Sequence, residues 1–254
     1  MLAWIDDDTP LPSTAFALGP DSQAPGLVAA GGHVTPGRLE EAYRKGIFPW
    51  YSRGQPVLWW SPDPRMVLPV AEFHLPRNLA KTVRRFTRTP GCEVRIDSAL
   101  RRIVEACAGT PREGQDGTWI VPEMVEAYVA WHRLGRVHSV ETWVDGELVG
   151  GLYGVGIGRM FFGESMFAHR TDASKIALCA LVCFAREHGI ELIDCQQNTH
   201  HLASFGAREI PRAEFERRLA LASGKAEIAD WSYDAALWRW LKPAPAQPPG
   251  TTGA

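Results

Sequence analysis

Long hydrophobic runs are missing from this chain of 254 residues. A helix that spans a bilayer needs about 20 consecutive apolar residues, and no stretch of the sequence reaches that length. The first residues, Met1 to Asp8, also lack the basic start of a secretory signal. We therefore expect a cytoplasmic protein with no membrane partner.

Cysteine is scarce and unsuitably spaced for a structural role. The five cysteines form neither a Cys-x-x-Cys pair nor an even set, so the usual signatures of structural zinc and of disulfide-stabilised domains are absent. His200 and His201 are adjacent, which is not the spacing of a metal-binding histidine pair on a helix. The sequence predicts no metal site and no cofactor.

Acidic residues are missing between Glu72 and Glu93. Five cations in this window have helical offsets of 0, 4, 7, 8 and 11, and we call them the basic face: Arg77, Lys81, Arg84, Arg85 and Arg88. These offsets place them on one side of a helix, and a solvated surface helix usually interleaves acids as i,i+4 partners. The pattern predicts a surface that binds an anion or an RNA backbone, with a plain basic surface as the alternative.

Composition divides the chain into three regions. Glycine, proline and aromatic residues concentrate before Pro62, and prolines then interrupt the chain. We predict a small loop-rich N-terminal domain over residues 1–62 and a larger catalytic domain over residues 63–242. Residues 243–254 contain only Pro, Ala, Gln, Gly and Thr and are predicted to be disordered.

The larger domain shows a pattern of three strands, a helix and a further strand. The three strands are predicted at residues 137–144, 147–153 and 158–165. Asp145 and Gly146 form the preferred pair for a two-residue hairpin turn between the first two. The helix ends at Gly189, and a strand to Gln196 follows. This order resembles the acetyltransferase-like (GNAT-like) fold, so we expect a mixed-sheet α/β (α+β) domain.

Two carboxylates lie inside apolar, strand-like runs. Asp194 lies in the run from Glu191 to Gln196, and Glu164 lies in the run from Gly163 to Phe167. Acids rarely occupy such positions without paired or functional chemistry. A buried Asp that pairs with an Arg, and a structural salt bridge at Glu164, are the alternatives. Two acids on neighbouring strands indicate an active site.

Two motifs of competing enzyme classes are absent. Residues 167–175, before the helix, contain no glycine, although enzymes that use acyl-CoA hold pyrophosphate there with a Gly-rich loop. Gly163 to Phe167 lacks the second glycine of Gly-x-Ser-x-Gly. A CoA-dependent N-acetyltransferase and a serine hydrolase are thus weaker interpretations. A non-catalytic RNA-binding module explains the basic face but leaves Asp194 and Gln196 without a role.

Nine ordered segments between residues 25 and 215 resemble the leucyl/phenylalanyl-tRNA-protein transferases. Among them are Gly46-Ile-Phe-Pro-Trp50, Leu58-Trp-Trp-Ser-Pro-Asp-Pro-Arg65, Gly163-Glu-Ser-Met-Phe167 and Leu192-Ile-Asp-Cys-Gln196. The segment from Thr199 to Ala207 also resembles the family, except that Phe205 replaces a family leucine. The resemblance implies transfer of Leu, Phe or Met from aminoacyl-tRNA to proteins with an N-terminal Arg or Lys, which marks them for N-degron degradation.

The resemblance also implies roles for single residues near the reacting groups. Asp194 and Gln196 match the family's catalytic pair, which orients the incoming amine and helps to deprotonate it. An N-terminal amine has a pKa of about 7.7 to 8.0 and is partly neutral at pH 7, so Asp194 is expected to position more than to act as a strong base. Glu164 matches a position near the acceptor peptide.

The remaining implied positions bind the donor. Trp50 and Trp119 match aromatics that hold the terminal adenosine and the aminoacyl end, consistent with base stacking on an indole. Four residues match or adjoin the apolar pocket for the transferred side chain: Leu152, Phe161, Leu178 and Ile193. Ordinary core packing is the alternative for all six. The basic face would contact phosphates of the tRNA acceptor stem.

Overall fold

The computed structural model describes residues 2–110 and 120–241. The predictions for Trp119 and for the tail at residues 243–254 lie outside these residues. Within the described residues, no helix has both the length and the apolar character needed to cross a bilayer.

A small sheet is built from residues before Pro62. Its strands are β1 (Ala3–Ile5), β2 (Leu27–Gly31), β3 (Phe48–Pro49) and β4 (Leu58–Trp60). They lie side by side in the order β1-β2-β4-β3, with β1 parallel to β2 and the other pairs antiparallel. Helix α1 (Pro36–Arg44) connects β2 to β3 and is capped by Thr35, whose hydroxyl accepts from the backbone N–H of Arg38.

The larger sheet contains seven strands. They are β5 (Arg65–Pro69), β6 (Cys92–Ile96), β7 (Val137–Val144), β8 (Glu147–Ile157), β9 (Met160–Ala168), β10 (Leu192–Gln196) and β11 (Arg208–Ile210). Their spatial order is β11-β5-β10-β9-β8-β7-β6. The pair β9 and β10 is parallel and every other pair is antiparallel.

Helices cover both faces of the larger sheet. They are α2 (Arg77–Phe86), α3 (Leu100–Gly109), α4 (Pro122–His132), α5 (Ala173–His188), α6 (His200–Ala203) and α7 (Arg212–Ser223). The order β7-β8-β9-α5-β10 confirms the predicted acetyltransferase-like succession and the mixed α+β class. The helix α5 forms the crossover connection that two parallel neighbouring strands require.

The predicted hairpin and its first strand, β7, are confirmed, whereas the second strand is longer than predicted. Asp145 and Gly146 have φ values of 52° and 77°, as a type I′ turn requires. β8 runs on to Ile157, beyond the predicted end at residue 153. The glycines of β8 interrupt the alternation of apolar side chains from which a strand is predicted, but close packing requires glycine at these positions. A Cβ at Gly154 would lie 2.2 Å from the carbonyl oxygen of Phe162.

Alternating side chains divide the core into two layers. Leu152, Phe161 and Ile193 point to the side covered by α5, where eleven of sixteen helix residues are buried. Their neighbours in sequence, such as Tyr153 and Phe162, point to the side covered by α1, α3 and α4. This period of two is the geometry of a strand. The second side also receives residues of the small sheet, so one core cluster crosses residue 62.

Residues 231–241 close the described part of the chain. A 3-10 helix covers only Ala235–Trp240. Trp231 precedes it and stacks on His138, with ring centroids 3.6 Å apart and planes 5° from parallel. The Trp231 side chain is thus positioned by its stacking on His138 and not by a helix.

Candidate active site

Strands β9 and β10 separate at the centre of the larger sheet. Their parallel pairing ends where Asp194 lies opposite Phe162, although β9 continues beside β8 to Ala168. The pairing of β10 with β5 also shifts register between Asp194 and Gln196. The two predicted acids therefore lie at the point of separation, one on each strand.

Asp194 is bound by a buried arginine. Both side chains are almost completely buried, at 0% and 1% exposure. The Nε and Nη2 atoms of Arg65 donate to Oδ1 and Oδ2 of Asp194 at 2.8 and 2.6 Å. The guanidinium also donates to the carbonyl oxygen of Gly46 at 3.0 Å and lies between the rings of Phe48 and Phe215. The ion pair that the sequence offered as an alternative is present, and it engages both oxygens of the carboxylate.

Gln196 adopts an unusual backbone conformation that Asp194 supports. Its φ is 60°, in the left-handed region that non-glycine residues seldom occupy. The backbone N–H of Gln196 donates to Oδ1 of Asp194 at 2.9 Å. The Arg65 and Asp194 pair consequently fixes the residue that turns the chain out of β10, and it aims the Gln196 side chain at β9.

Glu164 lies opposite Gln196 and is held by neutral donors. Its Oε1 accepts from Tyr43 Oη at 2.7 Å and from Gln196 Nε2 at 2.9 Å, and its Oε2 accepts from Tyr128 Oη at 3.0 Å. Tyr43 lies on α1 and Tyr128 on α4. No described Lys or Arg side chain forms an ion pair with Glu164, so the structural salt bridge considered for it is not found.

Burial raises the pKa of Glu164 to about 7. The hydrogen bonds from Tyr43 and Tyr128 lower it, and the negative charge of Asp194 raises it further. Burial, followed by the charge of Glu164, also raises the pKa of each tyrosine well above its usual range. The tyrosines therefore stay protonated near neutral pH, while Glu164 exists in both protonation states.

A cavity of about 560 Å³ opens between the two strands. This volume lies within the range of about 300 to 1,000 Å³ that is typical of small-molecule sites. Its polar wall contains Glu164, Asp194 and Gln196. Its apolar wall consists of Phe48, Trp50, Leu68, Leu152, Met166, Leu178, Leu181, Ile193 and Leu202.

The cavity brings together most of the positions expected from the sequence. Trp50, Leu152, Leu178 and Ile193 line it together with the three polar residues. Phe161 does not line it; this ring is fully buried, with its centroid 6.0 Å from that of Trp231. The alternative of core packing therefore describes Phe161.

The basic face lies on α2, away from the lining of the cavity. Leu79, Val83 and Phe86 are buried on one side of the helix, and all five cations are exposed on the other. None of the five makes an ion pair with a residue that the structure describes. The helix is as predicted, except that Arg88 follows its last turn.

Several residues of the site were not identified from the sequence. Met166, Leu68 and Leu181 line the apolar wall, and Tyr43 and Tyr128 hold Glu164. Arg65 had a detectable signal. It opens the fully buried strand Arg65–Pro69, and a charged residue in such a run needs a partner of opposite charge. No such signal exists in the sequence for Tyr43 and Tyr128, because tyrosine is common in an ordinary core.

The arrangement suits the transfer of an acyl group to an amine. An apolar recess adjoins a carboxyl group and an amide side chain whose positions are fixed by buried partners. Such a site can hold two reactants in line and accept a proton. Cys195, which lines the cavity, donates to the carbonyl oxygen of Ile193 rather than to a histidine base.

Comparison with known proteins identifies the relatives of the chain. A family model described as leucyl/phenylalanyl-tRNA protein transferase matches residues 67–220, and the model of the N-terminal domain of the same family matches residues 32–63.

Proteins named leucyl/phenylalanyl-tRNA–protein transferase are similar over nearly the whole chain. One from Leptothrix cholodnii is 63% identical over 98% of this chain and 98% of its own length. One from Methylibium petroleiphilum is 63% identical over 95% of this chain and 92% of its own. Among solved structures, the C-terminal domain of a putative lysylphosphatidylglycerol synthetase from Agrobacterium fabrum has a TM-score of 0.35 at 14% identity, covering 84% of this chain and 63% of that one.

Proposed function

The chain belongs to the leucyl/phenylalanyl-tRNA protein transferase family, and from this premise we propose that it transfers Leu, Phe or Met from aminoacyl-tRNA to the N-terminal Arg or Lys of acceptor proteins. The transfer would mark those proteins for N-degron degradation. Because the donor is charged tRNA, the protein acts where translation supplies it, in the cytoplasm.

One observation carries this proposal: an apolar recess ends at two fixed polar groups. The side chains of Leu152, Leu178 and Ile193 surround space suited to an unbranched or γ-branched apolar side chain. A β-branched side chain would place its bulk beside the reacting carbonyl, next to the polar wall that contains Glu164 and Gln196. The donor's side chain would thus lie in the recess with its ester carbonyl at the polar wall.

The reaction needs alignment more than activation. The amine attacks the carbonyl carbon of an ester that is already reactive, and the ribose oxygen of the tRNA leaves. Proximity and orientation supply most of the rate enhancement in such an aminolysis. Asp194 acts as a positioning residue, because Arg65 and the backbone of Gln196 occupy its oxygens. Gln196 donates through Nε2 to Glu164, which leaves its side-chain carbonyl to accept from the incoming amine.

Aromatic and basic residues would bind the tRNA. Trp50 is half-buried and lines the cavity, and its ring centroid lies 5.8 Å from that of Trp60. This indole suits stacking of the terminal adenine. We extend the same role to Trp119. The basic face would bind phosphates of the acceptor stem by charge and shape, since its five side chains are exposed and pair with no acidic residue in the described part of the chain.

The decisive test is transfer by the purified protein. Leucyl-tRNA and a peptide that begins with Arg should give a Leu-Arg peptide bond without ATP or added metal. The matched controls are the same peptide with an acetylated N-terminus and acetyl-CoA in place of the charged tRNA. No product from intact leucyl-tRNA would refute the proposal, and acetylation of the peptide would favour the acetyltransferase alternative.

A further inference from the structure

Glu164 and two tyrosines form a closed triangle of hydrogen bonds. Three oxygen-to-oxygen contacts connect them: 2.7 Å from Tyr43 to Glu164, 3.0 Å from Tyr128 to Glu164, and 2.7 Å between the two hydroxyls. Each contact needs one proton, and each hydroxyl supplies one. An ionised carboxylate supplies none. All three contacts are therefore satisfied only when Glu164 carries a proton.

The surroundings of Glu164 also favour a proton on it. Its side chain is buried, with 9% of the residue exposed. The titratable groups that act on it lie on three elements: Tyr43 on α1, Tyr128 on α4 and Asp194 on β10. Tyr153 on β8 acts on the two tyrosines. The carboxylate of Asp194 is paired with the guanidinium of Arg65. Burial raises the pKa of Glu164 to about 7, which is close to the working pH of a cellular enzyme.

Asp194 is a poor candidate for proton exchange by comparison. Its two oxygens accept three hydrogen bonds, two of them from the guanidinium of Arg65. Protonation of Asp194 would break a buried, bidentate ion pair, which is costly. On Glu164, the Oε2 atom accepts from Tyr128 and from no other residue that the structure describes, and Glu164 lines the cavity.

We propose that Glu164 is the general base and acid of the aminoacyl transfer, an inference that rests on the proposed function. The neutral amine attacks the ester carbonyl, so that a C–N bond forms, the carbonyl π bond opens to an oxyanion and the nitrogen becomes an ammonium. The ionised carboxylate of Glu164 takes one proton from that nitrogen. The C–O bond to the ribose then breaks, and Glu164 returns the proton to the departing oxygen, which becomes a hydroxyl.

The triangle explains how one carboxyl group performs both steps. Tyr43 and Tyr128 remain bonded to Glu164 in each protonation state, and only the contact between the two hydroxyls gains or loses its proton. Gln196 Nε2 holds Oε1 in place throughout. Glu164 can thus hold a proton close to the reacting atoms without a large movement of its side chain.

The pH dependence of kcat/KM for leucyl transfer to an Arg peptide tests the inference. Two ionisations should raise the rate with pH, that of Glu164 near 7 and that of the peptide amine at about 7.7 to 8.0. The logarithm of kcat/KM should accordingly rise with a slope of two below pH 6. E164Q should show a slope of one and lose about a hundredfold or more in kcat/KM at pH 8.

A tyrosine variant gives an independent test. Tyr128→Phe removes a hydrogen bond that lowers the pKa of Glu164, so the lower ionisation should move upward by roughly half to one pH unit. Tyr51→Phe is the matched control. This buried tyrosine has a hydroxyl without a hydrogen bond to any described residue and makes no contact with Glu164, so its variant should keep the wild-type profile.

A spectroscopic measurement needs no substrate. The infrared band of a protonated carboxyl group should titrate near pH 7 in the wild-type protein and vanish in E164Q, with both proteins folded by circular dichroism. A wild-type slope of one with an unchanged Tyr128→Phe profile would overturn the role of Glu164. Loss of all transfer by the wild-type protein would instead refute the proposed function itself.

Discussion

Replacement of Arg65 by methionine should destabilise the protein severely. Methionine preserves much of the side-chain volume between Phe48 and Phe215 but leaves the carboxylate of Asp194 with 0% exposure and no cation. Removing one partner of a buried ion pair typically costs about 3 to 5 kcal/mol. For a chain of this size, 1 kcal/mol corresponds to roughly 2 to 4 °C, so the melting temperature should fall by about 10 °C.

A double-mutant cycle separates charge from packing. Arg65→Met combined with Asp194→Asn removes both charges, and replacing a buried pair by neutral groups is often nearly neutral for stability. The double variant should therefore recover about 2 kcal/mol or more relative to Arg65→Met alone. Urea unfolding monitored by tryptophan fluorescence measures each free energy.

A surface ion pair provides the matched control. Arg208 and Glu72 are also bonded through two nitrogens, at 3.0 and 3.2 Å, but their side chains are 45% and 51% exposed. Arg208→Met should cost less than about 1 kcal/mol. If Arg65→Met costs no more than this control, or if the double variant recovers nothing, the pair does not hold β10 and the positioning role of Asp194 is wrong.

Two further predictions concern RNA binding and stability. The double change Arg84→Ala, Arg85→Ala should lower the magnitude of the slope of log K against log salt for tRNA binding by about two. Arg217 is an exposed cation on α7, and Arg217→Ala should leave the slope unchanged. Equal slopes for the wild type and both variants would show that the basic face does not contact the tRNA. Since burial raises the pKa of Glu164 from about 4.5 to about 7, its stabilising contribution is fully present below pH 4.5 and is lost as the pH rises to 7. The unfolding free energy of E164Q should thus increase relative to that of the wild type between pH 5 and pH 8, by up to about 3 kcal/mol. A difference in unfolding free energy that is constant across this range would contradict the raised pKa of Glu164.

Local pattern was sufficient for much of the fold. The Asp145-Gly146 turn, the basic face of α2 and the order from β7 to β10 depend on residues close together in sequence, and each was predicted. The strand β8 was underestimated because its glycines carry no side chain to show the alternation. The need for them appears only when Phe162 of the neighbouring strand lies against Gly154.

The sequence by itself determined which acids are exceptional, because a carboxylate in an apolar run stands out against its immediate neighbours. Only the tertiary structure decided what each acid does. Arg65 is 129 positions from Asp194, and Tyr43 is 121 positions from Glu164. Strand alternation fixes the face on which a side chain lies, but the register and packing of distant elements select its partners. Arg65 bonds both oxygens of Asp194, whereas Glu164 is bonded by the neutral hydroxyls of Tyr43 and Tyr128.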